Sequence, residues 1–422
     1  MNKYVTGLFD YIKNSPSPFH TIKEAKRLLL DAGFAELCEQ DDWAVKPGGS
    51  YFVVRNDSAI IAFKVPESGF KGFHMVASHS DSPAFKIKEN GELKGANGCV
   101  KFNVEKYGGM IMSTWLDRPL SVAGRVCVDT GKGIENKLVH FDEDLLIIPN
   151  LAIHMNRNVN DGISYSTQTD MCPVYSTSPD VETLETRIAS KVGVSKEAIL
   201  GQDLYVYTRQ EGTLLGAEQD MIVAPRLDDL ECVYGSVQAL MESTPSEYIS
   251  VCAVLDNEEV GSATSQGADS DFLATTLKRI VYGLGGTEVS YMKAVADSFM
   301  ISADNAHAIH PNHPEKADLN NRPVLNGGIV IKYSGNQKYT SDAFTGSVMK
   351  KICQTAKVPY QVFYNHSDVI GGSTLGNIST AHVSVKSVDI GLAQWAMHSA
   401  VETAGAKDVT YLVDALKVYY EQ

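Results

Sequence analysis

Apolar residues along this chain follow two different periods, and the alternation between them predicts the fold. Short, unbroken, β-rich apolar runs cover residues 59–65, 73–77, 249–255, 299–302, 329–333, 360–364 and 383–390. Runs of that length bounded by turn residues read as strands. Between them lie helical patterns over 230–241, 272–282 and 340–356, and a closing amphipathic helix over 408–420 with Asp408 as its N-cap. Two further helices open the chain. The first covers about 4–13 and ends before Pro16 and Pro18; the second begins at Thr21, where Thr21-x-x-Glu24 matches a capping box, and stops near Gly33. Strands alternating with helices predict an α/β fold, a mostly parallel sheet flanked by helices on both faces.

From about residue 93 the texture changes. Strand-like pieces at 122–129 and 137–141 are joined by the turn Thr130-Gly131-Lys132-Gly133. This predicts a β-rich unit over 93–218, inserted into a main domain made of 1–92 and 219–422. A length of 422 residues suits two domains.

Composition narrows the partners. With 37 basic against 51 acidic side chains the net charge is −14. Binding nucleic acid needs a basic face, so no nucleic-acid partner is expected. An acidic substrate would have to be met by a local cation, because the overall field repels it. The seven cysteines are odd in number and widely spaced, and none forms a C-x-x-C pair. They read as reduced thiols, with neither disulfides nor a thiolate zinc site. No apolar stretch approaches the roughly 20 residues that cross a bilayer, and Met1-Asn2-Lys3 does not lead into an apolar signal core. The expectation is a soluble, cytoplasmic protein without a membrane partner.

The chemistry lies in six short motifs at the ends of the expected strands or in loops. They are Ser78-His79-Ser80-Asp81, Arg226-Leu227-Asp228-Asp229, Asp256-Asn257-Glu258-Glu259, Ser302-Ala303-Asp304, His307-Ala308-Ile309-His310 and Ala396-Met397-His398. Hydrolysing a peptide bond without a Ser or Cys nucleophile needs activated water, which two metals about 3.5–4 Å apart can hold. Such a pair requires a bridging carboxylate, two more ligands per metal, and a separate carboxylate to take the proton. Asp228 can bridge; His79 with Glu259 and Asp304 with His398 can complete the two ions; Glu258 is left as general base. Asp81, two residues after His79, can orient that imidazole through its second nitrogen. Imidazole and carboxylate ligands suit zinc, with cobalt and manganese as alternatives. Each motif alone has a plainer reading, such as a solvated glutamate pair or acidic residues at a helix start. Together, at strand ends, they point to a metal centre. His307, His310 and His313 do not have zinc-protease helix spacing, and Pro311 interrupts them, so they read as loop. Gly371-Gly372-Ser373-Thr374-Leu375-Gly376 lacks the lysine of a phosphate loop and is not G-x-S-x-G, but its backbone amides can grip a carbonyl or carboxylate.

These motifs resemble those of the M18 metallopeptidases, the aspartyl aminopeptidase family. Ser78-His79-Ser80-Asp81-Ser82-Pro83 is similar to S-H-T-D-S-P, with Ser80 for Thr. Tyr107-Gly108-Gly109, Thr114-Trp115-Leu116-Asp117-Arg118-Pro119-Leu120 and Ile148-Pro149-Asn150-Leu151-Ala152-Ile153-His154 follow in order. Ala224-Pro225-Arg226-Leu227-Asp228 matches A-P-R-L-D, though Asp229 stands where Asn is usual, and Ala396-Met397-His398 closes the series. The resemblance implies a zinc-peptidase-like catalytic domain interrupted by a dimerisation domain, two zinc ions per subunit, and homo-oligomers, namely dodecamers built from dimers. It carries His154 over as a residue that acts in a neighbouring subunit's site. It also implies a preference for acidic N-terminal residues, with Lys332 matching the lysine of the family's I-K strand. The family's R-N-D is here His366-Ser367-Asp368, so a titrating imidazole replaces a permanently charged fork.

The expected activity is removal of single N-terminal residues from peptides, with a metal-bridging water as nucleophile, Glu258 and Asp81 as catalytic residues, and His79, Asp228, Glu259, Asp304 and His398 as ligands. His154, Lys332, His366 and Gly372 are the expected substrate contacts. An Asp/Glu preference is favoured over a broad or neutral one. A two-metal carboxypeptidase or deacylase would use a similar ligand set, and a non-catalytic scaffold of the same fold would be expected to have lost ligands.

Overall fold

The computed structural model describes residues 2–422, which fall into two compact units. One comprises the chain up to Asp81, Gly212–Met397 and Glu402–Gln422; the other comprises Ser82–Glu211 and the short return His398–Val401.

The first unit is built on a nine-stranded sheet. Its strands lie in the order Ala35–Leu37, Ser50–Arg55, Ala59–Lys64, Ile249–Leu255, Phe73–His79, Phe299–Ala303, Lys386–Gly391, Ile329–Lys332, Tyr360–Phe363. The four strands from Ile249–Leu255 to Lys386–Gly391 are mutually parallel, so their C-terminal ends share one edge. The sheet as a whole is mixed, because Ala59–Lys64 and Ile329–Lys332 run against their inner neighbours. Ser50–Arg55 and Ala59–Lys64 are joined through Asn56 and Asp57, with φ 53° and 58°, the left-handed pair that a tight hairpin turn requires.

Burial on both faces explains the unbroken apolar runs. In Ile249–Leu255 the odd positions Ile249, Val251, Ala253 and Leu255 pack into one core, and Cys252 and Val254 into the other. Phe73, Met75 and Ala77 likewise face away from Val76. Strand side chains alternate, so a run that must satisfy two cores is apolar at most of its positions. Helices Lys3–Asn14, Pro18–Asp31, Leu227–Glu242, Ala343–Ala356 and Asp408–Tyr420 contribute to the first core, and Phe272–Gly283 to the second. A smaller five-stranded sheet also belongs to this unit: Thr213–Leu215, Met221–Ala224, Glu402–Gly405, Ala393–Trp395 and Ala306–His307.

The second unit is a six-stranded antiparallel sheet, ordered Ile134–His140, Leu120–Asp129, Ile199–Thr208, Ala84–Lys94, Val100–Tyr107, Val174–Ser176. Phe85, Phe102, Trp115, Val122, Val126 and Leu204 lie in its core. Ala84–Lys94 pairs inside this sheet although the β-rich unit was expected to begin near residue 93.

Two helix starts differ from the sequence-based expectation. The second helix begins at Pro18, one turn before Thr21, with Pro in the first turn, where its missing N–H costs nothing. Thr21 lies inside the helix, its hydroxyl on the Ser17 carbonyl, and Glu24 pairs with Arg27. Asp408 is the first residue of its helix and not the cap; its carboxylate accepts the Asn326 and Gly328 N–H groups. The Thr21 hydroxyl is taken by a carbonyl one turn back in its own helix, and the Asp408 carboxylate by backbone N–H groups from a distant loop.

His74, on the central strand Phe73–His79, is stacked between Tyr248 and Tyr419 with ring centroids 4.0 and 4.6 Å away. Burial pushes its pKa down from 6.5 to about 4. A depressed folded-state pKa contributes stability that is complete above 6.5 and is lost as pH falls through 4. His74→Phe keeps the stack and removes the titration. Its loss of stability between pH 6.5 and 4 should therefore be shallower, by up to about 1.4 kcal/mol per pH unit. Urea titrations giving the same acid limb for both proteins would refute this role.

Candidate metal centre

The shared edge of the parallel strands gathers the expected chemistry. His79 is the last residue of its strand, Glu258 follows three residues after Leu255, and Asp304 directly follows Ala303. His79 Nε2 lies 3.7 Å from Asp228 Oδ1 and 4.0 Å from both Asp229 Oδ2 and Asp304 Oδ1. One ligand atom from each of His79, Asp228, Asp229 and Asp304 falls within 4.8 Å of all the others, and His79, Glu258 and Glu259 form a second such group. The first group sets Asp304 beside His79, and the second sets Glu259 beside the same imidazole.

Asp81 does more than orient an imidazole. His79 Nδ1 is 3.1 Å from the Asp81 carbonyl oxygen and 3.4 Å from its Oδ1. The same carboxylate accepts the backbone N–H of Glu258 at Oδ1 and of Glu259 at Oδ2, both at 3.1 Å. Asp81 is wholly buried, so these bonds form in a medium of low dielectric. The turn it holds is built for the purpose. Asn257 takes φ 61°, a left-handed value that Asn tolerates well, and its side-chain oxygen accepts from Thr264 and Gln266.

Asp228 and Asp229 sit at the irregular start of Leu227–Glu242 with non-helical backbone, and the peptide bond between them is cis. The Asp228 N–H donates to Glu402 Oε2 at 2.9 Å, and Asp229 Oδ2 accepts the His79 N–H at 3.1 Å. Arg226, just upstream, donates to the Ser15 and Ile12 carbonyls at the end of the first helix. Asp304 is bound from below. Lys332 is 2% exposed, its Nζ lies 2.6 Å from the Asp304 carbonyl and 3.6 Å from Asp304 Oδ2, and it sits over the Tyr339 ring.

These contacts make a pocket of excess negative charge. Burial, then the neighbouring Asp304 and Glu259, pushes the Glu258 carboxyl up to about 9 despite the opposing pull of His79. Burial raises Asp229 well above the usual carboxylate range. Burial alone would lower His79, but Asp229, Asp228 and Asp81 outweigh it and raise the imidazole strongly. Oxygen and imidazole donors, crowded and underneutralised, fit a divalent cation with zinc's preferences.

The family model described as "Aminopeptidase I zinc metalloprotease (M18)" matches residues 11–420. The chain belongs to the M18 aminopeptidase family. A "Probable M18 family aminopeptidase 2" of Clostridium acetobutylicum is 45% identical over 99% of this chain and 98% of its own length. That of Pseudomonas putida is 39% identical, over 98% and 97%. Among solved structures, the cryo-EM structure of the Ape4 and Nbr1 complex superposes with a TM-score of 0.94 at 34% identity, covering 99% of this chain and 85% of that one. The S. cerevisiae mApe1 dodecamer gives 0.86 at 25%, covering 99% and 96%. This M18 chain is therefore a zinc-family metalloaminopeptidase, a hydrolase.

His398 opens the segment grouped with the second unit, where its carbonyl accepts the Ile111 N–H. His154 is exposed in the same unit. His366 is half-buried and its Nδ1 accepts the Asp368 N–H at 3.2 Å, while Gly372 has no atom within 4 Å of where a Cβ would lie. Neither joins the ligand groups among the described residues. Sequence reasoning missed Glu402 and Asn305. Asn305 is buried and donates to the Leu227 carbonyl at 3.0 Å, linking the residue after Asp304 to the residue before Asp228. Asn305 carried a faint signal, its place beside Asp304; Glu402 carried none, being a lone acid in a short apolar strand.

Asp81→Asn retains one acceptor oxygen but turns an NH2 toward a backbone N–H. Zinc affinity should fall about 10–100-fold, read by competition with a chelator. Wild-type affinity in that variant would deny Asp81 its hold on the Glu258–Glu259 turn.

Proposed function

We propose that this M18 enzyme removes single N-terminal residues from peptides using two zinc ions per subunit, with a preference for Asp and Glu. The observation that carries the reading is the buried cluster of His79, Asp228, Asp304, Glu258 and Glu259 at the C-terminal ends of parallel strands, with Asp81 tying its parts together. His79 and Asp304 would hold one ion and Glu259 and His398 the other, with Asp228 shared between them. Bound there, a divalent pair lowers the pKa of water and polarises a carbonyl.

The remaining work belongs to the chain. Glu258 takes the proton of the attacking water and returns it to the leaving amine nitrogen. Its raised pKa reflects burial first and negative neighbours second, and positive charge beside it brings it down, where it can act as a base near neutral pH. Asp81 keeps Glu258 and His79 in mutual register while that proton moves. Lys332 holds Asp304 through its carbonyl. We assign backbone amides around Gly372 to the substrate, His366 to its side chain, and His154 to a neighbouring subunit's site. That last assignment requires oligomers, and the dodecameric S. cerevisiae relative supports a dodecamer built from dimers here. No helix of the described residues is long and apolar enough to cross a membrane, in keeping with a cytoplasmic enzyme acting on soluble peptides.

A broad or neutral specificity has one observation in its favour. The Lys332 ammonium is already committed to Asp304, while Val369 and Ile370, beside His366, are 53% and 93% exposed. Hydrolysis of aminoacyl-chromophore substrates, Asp and Glu against Leu and Lys, with zinc, cobalt and manganese added back in turn, separates the two. Faster cleavage of Leu would defeat the acidic preference and leave the aminopeptidase standing. Blocking the peptide's amine by acetylation should abolish activity, whereas a deacylase or carboxypeptidase would keep it. Glu258→Gln should bind zinc normally and lose about two to four orders of magnitude in kcat. A wild-type kcat would remove Glu258 from proton transfer.

A further inference from the structure

Asp389 lies in the middle of Lys386–Gly391 and is fully buried. In the sheet it stands opposite Ser302 on one side and Lys332 on the other, one step from the strand end that bears Asp304. Its charge acts on Lys332 and on Asp304, raising the pKa of both, but its hydrogen bonds go elsewhere. Oδ1 accepts the Thr374 hydroxyl at 2.5 Å, and Oδ2 accepts the Thr340 N–H at 2.6 Å and hydroxyl at 2.7 Å. Three short, charge-assisted bonds in a water-free setting make this a strong anchor.

What it anchors is informative. Thr374 is the N-cap residue of Leu375–His382, yet its side chain makes no cap hydrogen bond to that helix. A buried threonine at a helix start normally caps it. Here the hydroxyl is turned to Asp389 instead, and the helix start is pressed onto the strands: a Cβ on Gly376 would lie 2.8 Å from Ser302 Oγ and 3.0 Å from Asp389 Oδ1. Upstream, residues 366–372 run out to the surface, with Ile370 93% exposed and open space around Gly372. Gly371 is held close to Asn365, since a Cβ there would meet Asn365 Nδ2 at 2.2 Å. An exposed stretch with little packing of its own takes its position from its ends, and Thr374 is the buried end.

We infer that Asp389 is a positioning residue for substrate binding: through Thr374 it sets where the 366–372 segment stands, without touching substrate or metal. This rests on the assignment of His366 and Gly372 to the substrate. The defect expected on breaking the anchor is in KM and in discrimination between N-terminal residues, with metal content and the proton-transfer step intact.

The test compares Thr374→Val, which removes the hydroxyl at nearly constant volume, with Thr374→Ser, which keeps it. Asp389→Asn is the companion, and zinc content and thermal midpoint are recorded for each. With the best aminoacyl substrate, Thr374→Val should raise KM about tenfold, change kcat by less than about twofold and bind zinc normally. Thr374→Ser should restore the wild-type KM. Equal loss in kcat and zinc content, or no rescue by serine, would overturn the inference. His366→Ala is measured beside them. An unchanged KM there removes the segment from substrate binding and overturns both readings. A raised KM in His366→Ala with a wild-type KM in Thr374→Val overturns the positioning role alone.

Discussion

The hold of one buried carboxylate on two pieces of chain sets the geometry of this enzyme. Asp81 faces His79 Nδ1 and also accepts the N–H groups of Glu258 and Glu259. The two segments end adjacent parallel strands, so the sheet brings their termini close but leaves each free to turn. A single acceptor that satisfies both removes that freedom. It couples the orientation of the His79 imidazole to the placement of Glu258, the two groups that the proposed mechanism needs in register. Few groups other than a carboxylate could do so, because two acceptor oxygens in a fixed plane are needed where no water is available to substitute.

The sheet, in turn, dictates which residues are available. Parallel strands put all their C-terminal ends on one edge, and loops leaving that edge converge. His79 and Asp304 stand at such ends, and Glu258 and Glu259 in the turn that follows one. Beneath them, polar contacts from Lys332 and Asn305 replace the apolar packing that fills the rest of the strands. Burial, and after it the crowding of acids, raises Glu258 and Asp229 in that arrangement, and a bound cation offsets it.

Much of this was legible in the chain itself, for a physical reason. Strands buried on two faces announce themselves as unbroken apolar runs, and Ile249–Leu255 was bounded correctly to the residue. The candidate ligand motifs stood out because acids and histidines directly after such runs have few other uses, and the fold brings several of them together. Features that depend on a distant partner were not legible. Asp408 looks like a cap, and lost that role to groups far along the chain. The extra task of Asp81, and the whole of Glu402's, are hydrogen bonds to backbone N–H groups, which leave no mark on residue identity at the other end. The Lys332 ammonium shows the same limit. Its presence on a strand was readable, but its direction, inward to Asp304, was not.

The bond from Asp228 to Glu402 has a bearing on synthesis. Glu402 lies 174 residues beyond the aspartate whose backbone it receives. A chain leaving the ribosome will have exposed His79, Asp228, Glu258 and Asp304 long before that partner exists. The central sheet waits similarly, since Lys386–Gly391 joins it late. Contacts of such long range form slowly and together. The cluster therefore takes its final form only after residue 402 has been made, and a chain that stops short of it, though bearing most of the acids, lacks the anchor on Asp228.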